Sequence, residues 1–413
     1  MSLDALRGFD MIWIIGADSM VYALHRMTPS AATTFLADQL DHADWQGFHF
    51  YDLIFPLFVF LVGVSLVFSL TKMLDRGGRT EALKRILRRS LLLFVLGIFY
   101  SGGLSSAWPD IRLMGVLNRI ALAYACAGVL FCYCRPRTLA AVCASLSLGY
   151  WALLALTPIR NIQLENGNLA RLSEQAGDPQ RAALFRQQDN PSAVKDSPAW
   201  AAAQSMFYAT THYVAGRFEK GLNLANHLDF EFLPGRKYDI YWDPEGLLST
   251  LPAVATCLLG VFGGLLLRSQ RFSDGRKLLY LFSLGLGGVG VGWLWGLEFP
   301  VIKKVWTSSY VLMAGGYSAL LLAAFYLVID VWKFQIWCRP FVWIGMNSIT
   351  LYLVSSLVGW EGFAQRLAGG NIQGVFDHLV CAGFGQFVIS VLGLFLAFAF
   401  ARFLYQRKIF LRL

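Results

Sequence analysis

Residues 42–65 read HADWQGFHFYDLIFPLFVFLVGVS and change character near their middle. The first part is polar and carries two histidines and two aspartates, whereas the second part is apolar, with no charged residue from Leu53 to Thr71. A helix needs about 20 such residues to cross the hydrocarbon core of a bilayer. The stretch therefore predicts a membrane-spanning helix, with a polar connection that carries histidines and aspartates at its N-terminal end.

The composition of the whole chain places it among integral membrane proteins. Of its 413 residues, 56% are hydrophobic and only 15% are charged, whereas soluble domains carry roughly 25% charged residues. We predict an all-α polytopic membrane protein, a bundle of about ten transmembrane helices. The predicted spans lie near residues 8–25, 49–71, 90–106, 113–134, 138–157, 246–267, 278–296, 305–331, 341–360 and 379–401.

Basic residues predict the orientation of this bundle. The connection after the second span, residues 72–89, holds seven basic residues, and the other basic connections fall on the same side when ten spans are counted. Short cytoplasmic loops are enriched in Lys and Arg, so we expect a multi-pass protein of the cytoplasmic (inner) membrane with both termini in the cytoplasm. We also expect the first span to stay as an uncleaved anchor. The net charge of +9 then reflects topology, and no nucleic-acid partner is expected.

A long polar segment divides the chain into three predicted parts. Residues 1–157 hold the first five helices and the outer loop with His42, and residues 246–413 hold the last five. Residues 158–245 form an extracytoplasmic subdomain of short helices and loops. The end of this subdomain is rich in aromatic residues and carboxylates, and it includes Asp243 and Glu245. Such a composition favours a role in binding.

Charged residues inside the predicted spans are functional candidates, because each costs about 2.5–3.5 kcal/mol at a helix centre. Arg7 lies three residues from both Asp4 and Asp10, so these three predict an ion-paired cluster on one helix face. Asp18, further along the same span, has no such nearby partner. Charge pairs that lock helices together are the alternative role, chiefly for the Arg7 cluster and Arg119. The intramembrane candidates are Asp10, Asp18, Asp52 and Arg119.

Several motifs together resemble one known family. The start SLDALRGFDMIWIIGAD and the block HADWQGFHFYDLIFPLFVFLVGVS resemble the opening of the heparan-α-glucosaminide N-acetyltransferase family of transmembrane acyltransferases, and this chain looks like a bacterial-type member. Later blocks that resemble the family follow in the same order: GVLNRIALAY, NLANHLDFEFLPG, DPEGLLSTLPA, WTSSYVL and GMNSITLY. The resemblance covers nearly the whole chain, and residues 160–215 are the part that does not align.

The resemblance implies an enzyme that moves acetyl from cytoplasmic acetyl-CoA to the amine of an amino sugar, a glucosamine or glucosaminide end, on the far side of the membrane. It makes His42 the active histidine. The family's lysosomal member has an asparagine where this chain has Asp18, and a carboxylate there can orient the imidazole or bind a sugar ammonium. A histidine titrates near neutral pH and is suited to accept the proton that an attacking amine must lose. We therefore expect His42 and Asp18 to act as a catalytic unit.

The remaining candidates divide by substrate. The acceptor is expected to meet Trp45, Asp52, Asp243, Glu245 and Asn347. The acetyl donor is expected to meet Arg7, Asn118, Arg119 and Ser348, with Arg85, Arg88 and Arg89 available for its phosphates. Structural alternatives stay open for several of these: an interfacial tryptophan for Trp45, interhelical hydrogen bonds for the asparagines and ordinary positive-inside residues for the last three arginines. No metal is expected.

Two other functions stay open at this stage. Membrane carboxylates and glycine-interrupted spans also fit a secondary transporter for an amino sugar or a related cation. An O-acetyltransferase of an envelope glycan would share the donor but change the acceptor. The expected partners are acetyl-CoA, the amino-sugar acceptor and the lipid bilayer, and a homodimer is left open.

Overall fold

The computed structural model describes residues 1–103, 105–107, 110–187, 197–369 and 371–411. Helices make up most of this part of the chain, and one short antiparallel pair joins β1 (Ile159–Arg160) to β2 (Tyr213–Val214). The helices are α1 (Ser2–Ile12), α2 (Asp18–Met27), α3 (Ala31–Gln39), α4 (Phe50–Tyr100), α5 (Val116–Tyr133), α6 (Pro136–Leu156), α7 (Asn166–Gln175), α8 (Pro179–Arg186), α9 (Pro198–Ala209), α10 (Leu224–Phe232), α11 (Thr250–Arg268), α12 (Asp274–Gly296), α13 (Ser308–Phe325), α14 (Arg339–Met346), α15 (Ser348–Val358), α16 (Trp360–Ala368), α17 (Ile372–Leu379) and α18 (Phe384–Gln406).

The predicted all-α polytopic fold is confirmed. In the described part of the chain, seven helices are long and apolar enough to cross a membrane, and an eighth candidate is the pair α14 and α15, bent by 79°. Helix α4 has 51 residues and covers two of the predicted spans, which meet at Gly78, where φ is 72°. The first predicted span is broken by a π-helical segment, Trp13–Ala17, between α1 and α2.

The polar insert folds as short helices, α7 to α10, around an apolar cluster of its own that includes Phe185, Trp200 and Trp242. The His42 loop is attached to it through Trp45. The Trp45 ring lies 5.5 Å from the Trp242 ring in an edge-on contact, and its indole N–H donates to the carbonyl of Phe218 at 2.8 Å. Residues 188–196 of the insert lie outside the described residues, and the three-part division of the chain stays a prediction.

Helix α4 packs against both α5 and α11, and glycines set its distance from α11. A Cβ atom built on Gly63 would lie 2.0 Å from the carbonyl oxygen of Cys257, and one on Gly260 would lie 1.9 Å from that of Phe60. Both helices therefore touch backbone to backbone, as small residues allow in membrane bundles. This contact fixes the position of the N-terminal end of α4, where the polar connection begins.

We predict that Gly260→Ala destabilises the bundle, because the added methyl group must push α4 away from α11. Overpacking of this kind typically costs about 1–3 kcal/mol. The matched control is Gly287→Ala on α12, where an added Cβ meets no atom within 4 Å. The midpoint of thermal unfolding of the purified protein should fall for Gly260→Ala and not for Gly287→Ala. Equal midpoints would contradict the close contact.

Candidate active site

Four connections that the sequence predicts on the outer side converge around one cavity of about 340 Å³. They bring together residues that are up to 262 positions apart in the chain, from His42 to Lys304. The walls below the mouth are apolar and come from α1, α4, α5 and α15. The polar residues that line the cavity include His42, Arg112, Arg119, Glu245, Lys303 and Lys304.

His42 is held between a carboxylate and a lysine. Its Nδ1 atom lies 2.9 Å from Oδ1 of Asp52, and the Lys303 ammonium lies 2.9 Å from Nδ1 and 3.1 Å from Nε2. Lys303 also contacts Oδ1 of Asp52 at 3.4 Å. The His42 side chain is 46% exposed, whereas Asp52 is completely buried. The buried Asp52 thus holds one side of the imidazole, and the exposed side faces the cavity.

The local fold explains why Asp52 is available. It occupies the first turn of α4, where its Oδ2 accepts hydrogen bonds from the backbone N–H groups of His49 at 3.0 Å and Ala43 at 3.3 Å. A helix N-terminus favours a negative charge, and a side chain that caps it satisfies free N–H groups. One carboxylate therefore begins the helix, shapes the loop and holds the histidine.

The structure places Asp18 beside the site but not on the imidazole, contrary to the direct contact we expected. Its Oδ2 accepts from the Tyr51 hydroxyl at 3.3 Å, and the Tyr51 ring lies 4.8 Å from the His42 ring. The reason is the position of each carboxylate. Asp18 begins α2 and faces Tyr51 on α4, whereas Asp52, one residue further along α4, points into the His42 loop. Asp18 reaches His42 only through the tyrosine.

The acids expected to receive a cationic sugar are already paired. Arg112 contacts Asp243 through two bonds of 2.7 and 2.8 Å and Glu245 through one of 2.6 Å. Asp243 is buried and also accepts from backbone N–H groups, so it shapes its own turn. Glu245 does line the cavity. Arginines and lysines, however, outnumber carboxylates among the described residues that line the cavity, and the role of Asp243 and Glu245 in acceptor binding stays a prediction.

Trp45 differs from the expected stacking platform. Its ring packs on Trp242 and its N–H is bound to Phe218, so both its face and its polar edge serve to join the loop to the insert. Gly47, with φ of 139°, turns the chain directly after it. Trp45 is not among the described residues that line either cavity.

Arg119 carries unused hydrogen-bond donors at the cavity. Its Nη2 binds the carbonyl of Pro244 at 2.8 Å and the Ser249 hydroxyl, and its guanidinium stacks over Trp306 at 4.8 Å. Its Nε and Nη1 are buried and have no partner among the described residues. A buried donor left unpaired costs about 1–3 kcal/mol or more, so these groups call for an acceptor from a bound molecule.

Asn118, the neighbour of Arg119, packs one helix on another. It is buried, its Nδ2 donates to the carbonyl of Phe94 on α4 at 2.9 Å, and it contacts Gly97. Asn118 lines neither cavity in the part of the chain that the structure describes. The interhelical alternative thus accounts for its observed contacts.

A second cavity, of about 270 Å³, is lined by residues predicted to lie near the inner side. Arg7 is held there by Ser65 at 2.7 Å and Asp4 at 3.1 Å. The predicted cluster is thus only partly formed, because both carboxylate oxygens of Asp10 are buried without a hydrogen-bond partner among the described residues. The polar residues that line this cavity include Arg7, Ser65, Arg85, Arg89, Asn347 and Ser348.

Asn347 belongs to the second cavity and not to the first. It lies at the 79° bend between α14 and α15. Its Nδ2 donates to the carbonyl of Trp343 at 3.2 Å, while its buried Oδ1 has no partner in the described ranges. The amide therefore offers a free acceptor beside Arg7 and Ser348.

The two cavities share an apolar wall. Phe58, Leu117, Ile120 and Ile349 line both of them. One cavity has the His42 cluster at its mouth, and the other has Arg7, Arg85 and Arg89. The two cavities thus adjoin at these four apolar side chains.

Lys303 and Arg112 are the main site residues that sequence reasoning missed. The sequence did contain a signal that pointed to Lys303. Lys303 and Lys304 lie in a short connection on the side that the positive-inside rule predicts to be poor in basic residues. Burial lowers the pKa of Lys303, and its contact with Asp52 opposes that effect.

The fold and the site define a polytopic membrane protein with a histidine, aspartate and lysine cluster in one of two adjoining cavities. A family model described as "Heparan-alpha-glucosaminide N-acetyltransferase, catalytic" matches residues 1–164. With the matches described next, it shows that the chain is similar to heparan-alpha-glucosaminide N-acetyltransferases.

Two curated relatives carry that name. The Mus musculus protein is 28% identical over 401 residues, which cover 89% of this chain and 56% of the relative. The Homo sapiens protein is 29% identical over 343 residues, which cover 76% of this chain and 48% of the relative. The chain spans about half the length of the curated relatives it matches.

A buried aspartate supports the turn that carries Glu245. Asp229 accepts from the backbone N–H groups of Leu247 at 2.8 Å and Asp243 at 3.3 Å. Burial raises the pKa of Asp229 to about 7, and the nearby Asp243 carboxylate acts in the same direction. The folded state therefore favours the neutral carboxyl group.

We predict that thermal stability falls as the pH rises from about 4 to 7, because Asp229 ionises more readily in the unfolded chain than in the fold. The stabilisation is complete below the unfolded pKa, near 3.9, and is lost as the pH rises through the folded value of about 7. Asp229→Asn cannot titrate, so its unfolding midpoint should change less over this range. Identical pH dependence in both proteins would contradict the assignment.

Proposed function

We propose that the protein is an acetyl-CoA-dependent transmembrane N-acetyltransferase, which moves acetyl from cytoplasmic acetyl-CoA to the amine of an amino sugar on the extracytoplasmic side. The observation that carries this proposal is the His42 cluster at the mouth of a cavity that shares its apolar wall with a basic cavity. The names of the mouse and human relatives state an N-acetyltransferase activity toward heparan-alpha-glucosaminide for those proteins.

The chemical groups of acetyl-CoA match the residues that line the two cavities. Its phosphates match the guanidinium groups of Arg7, Arg85 and Arg89, since arginine binds phosphate through paired hydrogen bonds. The free Oδ1 of Asn347 can accept from an N–H group in the same cavity. The narrow pantetheine arm suits the apolar wall that the two cavities share, and its amide carbonyls are acceptors for the unpaired donors of Arg119. The thioester would then reach the His42 end.

The acceptor enters at the other mouth, where His42 is exposed. If Nδ1 of His42 donates to Asp52, Nε2 carries the lone pair that accepts a proton from the attacking amine, which then replaces the Lys303 ammonium 3.1 Å away as the partner of Nε2. The nitrogen forms a bond to the thioester carbon, and the carbon–sulfur bond breaks. The departing thiolate then accepts the proton from the imidazolium. Asp52 stabilises the imidazolium between these two transfers, because its negative charge is already in contact with the ring.

The distribution of predicted outer and inner residues supports the proposed orientation in the cytoplasmic membrane. The connections around His42, Arg112, Glu245 and Lys303 are all predicted outside, and they line the first cavity. Arg7, Arg85 and Arg89 are all predicted inside, and they line the second. A cytoplasmic donor and an external acceptor would thus each meet the matching end.

We predict that His42→Ala lowers acetyl transfer to glucosamine at least about a hundredfold, the usual scale for a general base, while acetyl-CoA still binds. Thiol release by the purified protein measures transfer, and calorimetry measures donor binding. Because a transporter would release no thiol, this assay also separates the enzyme from the transporter. Near-normal turnover of the variant would contradict the role of His42.

The aspartates provide a matched pair for the same assay. Asp52→Asn removes the charge that contacts the imidazole and should reduce turnover strongly. Asp18→Asn acts only through the Tyr51 hydroxyl and should reduce it mildly. The reverse order would contradict the assignment of Asp52 as the partner of His42.

Sidedness is tested by cysteine labelling. In cells with an intact cytoplasmic membrane, a membrane-impermeant thiol reagent should label Gln175→Cys, which is exposed on α7, and should not label Arg76→Cys, which is exposed in the basic connection. Arg76→Cys should be labelled after the membrane is permeabilised, and the parent chain, with its native cysteines, serves as the blank. The opposite pattern would invert the proposed orientation.

A further inference from the structure

We propose that Lys303 is a further catalytic residue of this site, whose ammonium group donates a hydrogen bond to the oxyanion that forms on the acetyl carbonyl during transfer. The assignment rests on the proposed function and adds a role that the histidine and its carboxylate cannot perform. An acyl transfer develops negative charge on the carbonyl oxygen, and fixed donors at that point are often the largest single contribution to catalysis.

The position of Lys303 supports this role. Its side chain is 19% exposed, its Nζ lies 3.1 Å from Nε2 of His42, and it lines the cavity. The attacking amine must lie within about 3 Å of the same Nε2 to give up its proton, and the acetyl carbon must lie about 3 Å from that amine. The carbonyl oxygen, bonded to this carbon, therefore forms its charge within a few ångströms of Lys303.

Two other cations around the cavity are already paired with carboxylates. Arg112 is bound to Asp243 and Glu245, and Lys304 contacts Asp239 at 3.4 Å. Arg119 binds the Pro244 turn, and its two unpaired donors are the groups proposed above to bind the pantetheine carbonyls. Of the lining cations that the structure describes, Lys303 is the one with hydrogen-bond contacts to His42.

The charges of the cluster match those that the reaction creates. The Asp52 carboxylate and the Lys303 ammonium contact each other at 3.4 Å, and both contact the imidazole of His42. When the amine attacks, its proton passes to His42 and the carbonyl π electrons pass to oxygen. The new imidazolium then faces Asp52 and the new oxyanion faces Lys303. When the carbon–sulfur bond breaks, the electrons return to the carbonyl, and the thiolate takes the proton from His42. Each charge that develops has an opposite charge already in place.

The test measures transfer from radiolabelled acetyl-CoA to glucosamine by Lys303→Met and Lys303→Arg, each alone and combined with His42→Ala. Lys303→Met should lower kcat about 10²–10³-fold, the effect of removing one oxyanion donor. Lys303→Arg keeps the charge and donors and should recover at least about tenfold of that loss. The matched control is Lys220→Met in the insert, where Lys220 pairs with Glu165, and it should keep the parent rate. Unfolding midpoints and acetyl-CoA binding verify that each variant is folded.

The double variant separates a direct role from a positioning role. At a pH chosen so that the glucosamine amine is unprotonated while Lys303 still carries its ammonium proton, His42→Ala should retain a slow rate above the enzyme-free reaction, because a remaining oxyanion donor sustains residual catalysis. Adding Lys303→Met should lower that residual rate at least about tenfold.

Three results would overturn the assignment while leaving the proposed function intact. They are a Lys303→Met kcat within tenfold of the parent, a Lys303→Arg kcat as low as that of Lys303→Met, or a His42→Ala residual rate that is absent or unchanged in the double variant. No transfer by the parent protein would overturn the proposed function, and this assignment with it.

Discussion

The buried carboxylate of Asp52 is the constraint on which the rest of the site depends. It caps the first turn of α4 through His49, holds the loop through Ala43 and contacts the imidazole of His42 and the ammonium of Lys303. A buried charge is tolerated only when it is paired and hydrogen-bonded, and here every partner belongs to the site. The contacts that cap the start of α4 thus also hold the His42 imidazole at the cavity.

Two cavities of the bundle share an apolar wall. Polar groups without partners among the described residues, such as Nε and Nη1 of Arg119 at one cavity and Oδ1 of Asn347 at the other, are costly while they stay unpaired. They become favourable when an elongated molecule with amide and phosphate groups lies along the shared wall. In our proposal, an acetyl group then passes from one side to the other without the nucleotide crossing.

The helices were predictable because about 20 uncharged residues have few alternatives to a membrane span, and His42 was identified through its motif. The partners of His42 were not, because tertiary structure sets them. Lys303 is 261 residues from His42, and no sequence spacing joins the two. Asp18 has no charged partner near it in its own helix, yet the Tyr51 hydroxyl on α4 donates a hydrogen bond to it. Trp45 was assigned to a sugar because its docking on Trp242 depends on the fold of the insert. Intramembrane charges thus indicate where a site lies, whereas the packing decides which groups meet.

We propose that one molecule of donor spans both cavities, and a structure of the protein with acetyl-CoA bound would decide whether it does. In that structure we expect the phosphates among Arg7, Arg85 and Arg89, the pantetheine arm beside Phe58 and Ile120, and the thioester within reach of His42 and Lys303. Density for the nucleotide at the His42 mouth, or for a donor confined to one cavity with its thioester away from His42, would contradict it.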